Sequence, residues 1–182
     1  MRRNKKREEL GGPLEARRQT TGKDFSNWEL TKNDGDKWQI HTMPDDSVAS
    51  YFCTSHELCL KKQVIILLKS GYDAAYLDSA PEVTVKDWYS TRHDCGGIYR
   101  LTVSLLNENR GVIATFKPAD VTVPAETTWK QVTHTFKGYG PGLRFISFEH
   151  GGQDTKYWKG WYGTRVTGSS VTIPPKPQYI IQ

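Results

Sequence analysis

The sequence predicts an all-β protein, an antiparallel β-sandwich of jelly-roll type with one or two short helices. From residue 25 onward, short segments rich in valine, isoleucine, threonine and aromatic residues alternate with turn residues. The turn signals recur about every 8–12 residues, which is typical of a sandwich. Helical periodicity is weak, and the best candidate is a short turn at 72–77.

The strands are predicted from β-branched and aromatic residues that lie between turn signals. In chain order they are expected at 37–40, 82–89, 99–105, 112–116, 121–123, 130–136, 143–150 and 169–173. The clearest is 99–105, where large apolar residues alternate with Arg100, Thr102 and Ser104. This alternation indicates a strand with one face on the core and one in water.

The chain of 182 residues suits one domain with short tails. Residues 1–24 hold eight lysines and arginines against four acidic residues, so most of the net charge of +5 lies there. We expect 1–24 to be a basic, disordered tail, 25–173 to be the sandwich, and 174–182 to be a proline-rich tail. Because the basic residues are not interleaved with aromatic ones, nucleic acid is not an expected partner.

Composition excludes several further classes. The longest aliphatic run, Val64–Leu68, is far shorter than the ~20 residues of a membrane-spanning helix, and no apolar leader follows Met1. The three cysteines, Cys53, Cys59 and Cys95, are too few for a disulfide scaffold and are expected as buried free thiols in a reducing compartment.

A search for catalytic motifs is negative, and we predict neither an enzyme nor a cofactor or metal site. The five histidines are scattered along the chain. The cluster His93-Asp94-Cys95 precedes two glycines and is interpreted as a turn between strands. A catalytic Cys/His pair needs two side chains that face each other, and closeness in sequence alone does not provide that geometry.

One segment points to a ligand. Tyr157 to Tyr162 places four aromatic residues in six positions, after a Gly-Gly-Gln-Asp sequence that is typical of a surface loop. A sugar site needs aromatic faces together with polar groups, and Tyr157, Trp158, Lys159 and Asp154 supply those types. The alternative is a regular strand in which either the pair Trp158 and Tyr162 or the pair Tyr157 and Trp161 enters the core.

The same region resembles a known family. Residues 148–163, followed by Arg165-Val166-Thr167, are similar to the C-terminal signature of the F-box-associated (FBA) domain family. The resemblance covers roughly 25–173 with its motifs in order, and it includes sugar-recognising F-box proteins and the related nonspecific cytotoxic cell receptor protein. The other matching segments are 85–89, the Arg92/Asp94/Cys95 turn, 132–136 and 139–145.

The resemblance implies a ten-stranded antiparallel sandwich that binds the inner chitobiose of high-mannose N-glycans on misfolded glycoproteins. Such proteins serve an SCF-type ubiquitin ligase in glycoprotein degradation in the cytoplasm. The implied sugar contacts are the stacking ring of Trp158, the carboxylate of Asp94, and polar groups of Tyr157 and Lys159. Inner sugars are hidden in a folded glycoprotein, so the site would sense unfolding.

Two departures from the family keep an alternative open. His56 stands where sugar-binding members carry phenylalanine, and an imidazole offers a smaller and more hydrated stacking face. Residues 1–24 are too short and polar to be the Skp1-binding F-box, so a Skp1/cullin partnership is expected only of a longer form. One alternative is an FBA protein that acts as a protein-interaction module without sugar binding. The other is a surface receptor like the cytotoxic cell relative, although the absence of an apolar leader argues against it. No N-glycosylation sequon is present, which suits the cytoplasm.

Overall fold

The computed structural model describes residues 18–20, 24–42 and 50–175. The strands in these ranges form two antiparallel sheets of six strands each, which confirms the predicted all-β sandwich. In chain order the strands are β1 (Arg18–Thr20), β2 (Glu29–Asn33), β3 (Gln39–Thr42), β4 (Ser50–Cys53), β5 (Cys59–Ile66), β6 (Val83–Ser90), β7 (Gly97–Leu106), β8 (Val112–Phe116), β9 (Val121–Val123), β10 (Lys130–Phe136), β11 (Phe145–Asp154) and β12 (Arg165–Thr172).

The first sheet has the order β10-β6-β12-β4-β3, with β1 beside β12, and the second has the order β2-β5-β11-β7-β8, with β9 beside β7. Strand β7 buries every second residue from Gly97 to Leu105, as its alternation predicts. Tyr99 of β7 stacks on Tyr89 of β6 with ring centroids 4.2 Å apart, so the two sheets meet through their aromatic faces. This contact belongs to one continuous apolar core between the sheets.

Two short helices lie in the connection between β5 and β6. A 3-10 helix spans Leu67–Ser70, and helix α1 spans Ala74–Asp78, which confirms the helical turn predicted near 72–77. The Asp73 carboxylate caps α1 by accepting a hydrogen bond from the Tyr76 amide at 2.8 Å. Within the described part of the chain, no helix has the length and apolar character needed to cross a membrane.

The predicted tails need one correction. Arg18–Thr20 lies inside the segment expected to be disordered, yet it forms β1 and pairs with residues 169–171 of β12. Within β12, β4 pairs only with Arg165 and Val166, so the β12 backbone beyond them is open to a further strand on that side. Because β-strand pairing joins backbone groups, the composition of the tail does not predict that this segment pairs with β12. The remaining tail predictions, at 1–17, 21–23 and 176–182, lie outside the described residues.

A polar network runs through the middle of the core. Lys61 of β5, His150 of β11 and Asp87 of β6 all have completely buried side chains. The Lys61 Nζ lies 2.6 Å from His150 Nε2, and His150 Nδ1 lies 2.5 Å from an Asp87 oxygen. Tyr99 and Ser169 also donate hydrogen bonds to Asp87, so the carboxylate is satisfied by three partners.

Burial and the aromatic surroundings set the charges in this network. Burial lowers the pKa of His150 to about 4, so the imidazole is neutral at pH 7 and can donate from Nδ1 and accept at Nε2. Burial also lowers the pKa of Lys61, while the Asp87 charge opposes that shift. The Lys61 ammonium lies 3.2 Å from the centre of the Trp28 ring, a cation–π contact that supplements Asp87.

The topology brings several loops to one end of the sandwich. Five connections pass from one sheet to the other there: 34–38 between β2 and β3, 54–58 between β4 and β5, 91–96 between β6 and β7, 124–129 between β9 and β10, and 155–164 between β11 and β12. Backbone hydrogen bonds join them, including Asp154 N to Ser55 O and Thr155 N to Gly96 O. Residues far apart in sequence therefore meet on one surface.

Candidate functional site

The connection 155–164, here called the aromatic loop, is irregular rather than a strand. Tyr157 is 70% exposed and Trp158 is 38% exposed, whereas Trp161 and Tyr162 are half-buried. The alternative of a regular strand with one pair of rings in the core is therefore wrong. The first two aromatic residues of the loop face water, which a ligand-binding loop requires.

Asp154 shapes the start of this loop. Its carboxylate accepts hydrogen bonds from the amides of Lys156 at 2.8 Å and Tyr157 at 2.6 Å, which forms a tight Asx turn. Tyr157 has a φ of 56°, a left-handed conformation that costs a non-glycine residue roughly 1–2 kcal/mol. The Asp154 side chain is fully buried, so its predicted role as a polar sugar contact is wrong, because its carboxylate supports the turn instead.

Trp158 is held by two neighbours. Its ring packs edge-to-face on Tyr162, with centroids 5.2 Å apart and planes at 87°. The Lys156 Nζ lies 4.4 Å from the Trp158 ring centre and also donates a hydrogen bond to the backbone oxygen of Asp94 at 3.0 Å. Lys156 thus joins the aromatic loop to the 91–96 loop and sets Trp158 beside Asp94.

Asp94 is an anionic acceptor at this surface. Arg92 donates to it from Nε at 2.9 Å and from Nη2 at 3.2 Å, a bidentate pair. The hydrogen bonds from Arg92 hold the pKa of Asp94 below its ordinary value, so the carboxylate is charged at neutral pH. The Arg92 guanidinium also lies 4.4 Å from the centre of the Tyr162 ring, which stabilises that ring in turn.

His56 and Lys159 complete the predicted set. The His56 ring is half-buried in the 54–58 loop, with its centroid 6.3 Å from that of Tyr157. Lys159 is exposed next to Trp158 on the aromatic loop. Besides Asp154, the five other residues predicted as sugar contacts therefore lie at the same end of the sandwich, where Lys156 links Asp94 to Trp158 and His56 lies near Tyr157.

Several residues that build the site were not predicted to do so. Asp36, Arg92, Lys156 and Tyr162 place or support the predicted residues, and they come from three different loops. The signal for Arg92 is its spacing of two residues from Asp94, which suits a local ion pair. No pattern in the sequence relates Asp36 to a loop more than a hundred residues away, because only the fold brings them together.

The cysteines and potential metal ligands complete the chemical survey. All three cysteines are free and buried, as predicted, and burial raises the pKa of Cys53 to about 12 and that of Cys59 to about 11. They are therefore protonated and poor nucleophiles at neutral pH. Among the described residues, no three histidine, cysteine or acidic side chains are grouped as metal ligands would be.

Comparison with known proteins identifies the family. The family model described as the F-box associated region matches residues 5–173. The chain belongs to this family. F-box only protein 2 of Bos taurus is 47% identical over 165 residues, which cover 84% of this chain and 56% of that protein. F-box only protein 44 of Homo sapiens is 44% identical over 165 residues, which cover 84% of this chain and 65% of that protein.

The FBA chain thus spans about 56% to 65% of the length of these relatives. Solved structures with low identity share the fold. The CBM22-2 xylan-binding domain of Paenibacillus barcinonensis Xyn10C has a TM-score of 0.51 at 11% identity, covering 87% of this chain and 98% of that one. The enzymatically active domain of bacteriophage CBA120 tailspike protein 4 has a TM-score of 0.55 at 13% identity, covering 86% of this chain and 20% of that one.

Proposed function

We propose that this FBA chain binds N-linked glycans, with the inner chitobiose of high-mannose chains as its ligand. The observation that carries the proposal is the partly exposed Trp158 ring, which Lys156 links to the backbone of Asp94, a residue whose carboxylate is charged. An aromatic face suits the apolar C–H face of a sugar ring, and a carboxylate accepts hydrogen bonds from hydroxyl and acetamide groups.

Four neighbouring residues suit the same ligand. Tyr157 is the most exposed ring of the aromatic loop and carries a hydroxyl that can donate and accept. The ammonium groups of Lys156 and Lys159, which flank Trp158 in the sequence, are hydrogen-bond donors. His56 stands behind Tyr157 and would border the sugar as a smaller ring. The proposed role of this surface is recognition rather than catalysis.

The test is binding of the purified chain to ribonuclease B and to its enzymatically deglycosylated form, with free chitobiose as competitor. We expect binding to the glycosylated form only, and full competition by chitobiose. Equal capture of both forms would contradict the proposal. A Leu68→Ala variant is a matched control, because Leu68 is 50% exposed and lies in the β5–β6 connection rather than in the site loops.

For any longer form of this chain that carries an F-box, we propose a role in a ubiquitin ligase of the SCF type, in which this chain recognises misfolded glycoproteins in the cytoplasm. The support is the family and the F-box names of its relatives. Ubiquitin transfer would be performed by partner subunits, with Skp1 and a cullin joined through an F-box in the longer form. Co-precipitation of Skp1 with the longer form, and its loss when the F-box is deleted, is the expected result.

One observation favours a second candidate, a protein-interaction module without sugar binding. Both Asp94 oxygens already accept hydrogen bonds from Arg92, so fewer lone pairs are available to a sugar hydroxyl. This candidate predicts partners whose capture is unaffected by deglycosylation. A pull-down performed with and without glycosidase treatment of the lysate separates the two functions.

A further inference from the structure

The carboxylate of Asp36 connects the turn between β2 and β3 to the aromatic loop. Its Oδ2 accepts a hydrogen bond from the amide of Gly160 at 2.6 Å. The same oxygen lies 3.5 Å from Nδ1 of His56. Gly160 stands two residues after Trp158, so the contact fixes the part of the loop that carries the exposed ring.

The turn that carries Asp36 is packed tightly on the 54–58 loop. Gly35 has a φ of +61°, and a Cβ at this position would lie 2.9 Å from Ser55 Oγ and 3.1 Å from His56 Cε1. The Asp36 amide donates to Ser55 Oγ at 3.0 Å, and the Gly35 amide donates to the Glu57 carboxylate at 3.0 Å. The backbone of Asp36 is therefore held in place, and its side chain has little freedom to follow a moving loop.

His56 has an unused polar atom at this point. Its Nδ1 is buried and makes no hydrogen bond to any residue that the structure describes. The titratable groups around the ring are Asp36 from the β2–β3 turn, Glu57 on its own loop and Tyr157 from the aromatic loop. Glu57 is turned toward the Gly35 amide, so Asp36 is the carboxylate that faces Nδ1.

We propose that Asp36 is a positioning residue for the aromatic loop. Through Asp36, the protonation of His56 would change the affinity of that loop for a glycan. The group formed by Asp36, His56 and Gly160 is here called the Asp36 clasp. Protonation at Nδ1 places a positive N–H against Asp36 and orients the carboxylate that receives the Gly160 amide. The clasp is then tighter, and Trp158 is better ordered for stacking. The consequence for affinity rests on the proposed function, whereas the clasp itself does not.

The clasp is tested first without any glycan. In a ¹⁵N-labelled chain, the Gly160 amide resonance is followed by NMR from about pH 5 to about pH 8. We expect one titration step in the unmodified chain and its loss in His56→Phe, which keeps a ring but cannot take a proton. An unchanged titration in His56→Phe would overturn the coupling.

The second test measures chitobiose affinity by calorimetry at about pH 6 and about pH 7.5. We expect binding to be roughly two- to fivefold tighter at the lower pH, the range for a partly exposed ion pair. Asp36→Asn keeps an acceptor for the Gly160 amide but loses the charge, so it should remove the pH dependence. Asp36→Ala loses the acceptor and should weaken binding about tenfold at both pH values.

Asp34→Asn is the matched control. Asp34 lies on the same turn, but its side chain is about half exposed and pairs with Lys32 at 3.7 Å. This variant should bind as the unmodified chain does at both pH values. Thermal unfolding of every variant is recorded, and Asp36→Asn carries the test if Asp36→Ala does not fold.

The two proposals fail in different ways. If the Gly160 amide titrates through His56 but no form binds glycan, the clasp is supported and the proposed function is contradicted. If chitobiose binds equally at both pH values and Asp36→Ala binds normally, the clasp is overturned and the proposed function stands.

Discussion

The interior and one end of this FBA sandwich reverse the usual placement of residues. In the core, Lys61, His150 and Asp87 are sealed from water, while at the loop end Tyr157 and Trp158 expose aromatic surface. The buried polar groups satisfy one another within hydrogen-bonding distance, so the core network has no need of a ligand. The exposed rings leave apolar surface in contact with water, and a ligand would cover that surface. The difference separates a feature that supports folding from one suited to binding.

The largest expected effect comes from breaking the core network at Asp87. Asp87→Ala removes the shared acceptor of His150, Tyr99 and Ser169 and leaves the Lys61 ammonium without its counter-charge. Loss of one partner of a buried pair costs about 3–5 kcal/mol, and urea denaturation should show a decrease of that size in the free energy of unfolding.

Asp120→Ala is the control for this variant, because Asp120 pairs with Arg100 at 2.8 Å on the surface. It should cost less than about 1 kcal/mol. A similar decrease in the free energy of unfolding for both variants would show that the buried network stabilises the fold no more than a surface ion pair does.

The second effect is a dependence of stability on pH that arises in the core alone. The pKa of His150 is about 4 in the folded chain because of burial, whereas an exposed histidine titrates near 6.5. As the pH falls, the unfolded chain takes up this proton first, so stability present above about pH 6.5 is lost between there and about pH 4. The loss is on the order of 3 kcal/mol.

Urea denaturation at a series of pH values measures this loss. The pH dependence of the difference between the unmodified chain and His150→Gln isolates the contribution of His150 from that of the carboxylates. A difference that stays constant from about pH 7 to about pH 4 would contradict the buried, neutral imidazole.

The smallest effect sharpens the contrast at the loop. Tyr157 adopts a left-handed φ of 56°, which asparagine tolerates better than tyrosine. Tyr157→Asn should therefore raise the free energy of unfolding by about 0.5–1 kcal/mol while it weakens glycan binding. Tyr157→Phe keeps the ring and the strain, and its stability should not change. A destabilised Tyr157→Asn would mean that the ring supports the fold rather than the ligand.

The sequence predicts strands well where burial alternates without interruption. Strand β10 has the predicted bounds, 130–136. Strand β7 buries the alternate large apolar residues that were expected to face the core. Strand β5 was not predicted, because Lys61 occupies a core position and disturbs the apolar alternation. Strand β12 begins at Arg165 rather than at Ser169, because a register shift between Thr167 and Ser170 breaks the regular pattern there.

The candidate site was predictable only in its local part. The crowding of aromatic residues at 157–162 indicates a binding loop, and the family resemblance adds Asp94 and His56. The alternation of odd and even positions does not predict which of those rings face water, because this segment is not a strand. The turn at Asp154 and the left-handed conformation of Tyr157 give it an irregular backbone. The Asp36 contact with Gly160 depends on sheet topology, which local patterns do not contain.

The central claim is that Trp158 supplies the stacking face of a glycan site. The most direct measurement is calorimetric titration of chitobiose into the unmodified chain, Trp158→Ala and Leu68→Ala, with urea denaturation of all three. We predict that Trp158→Ala loses about tenfold or more in affinity, while its free energy of unfolding changes by less than about 1 kcal/mol. Leu68→Ala should bind as the unmodified chain does. Undiminished chitobiose binding by a folded Trp158→Ala would contradict the account.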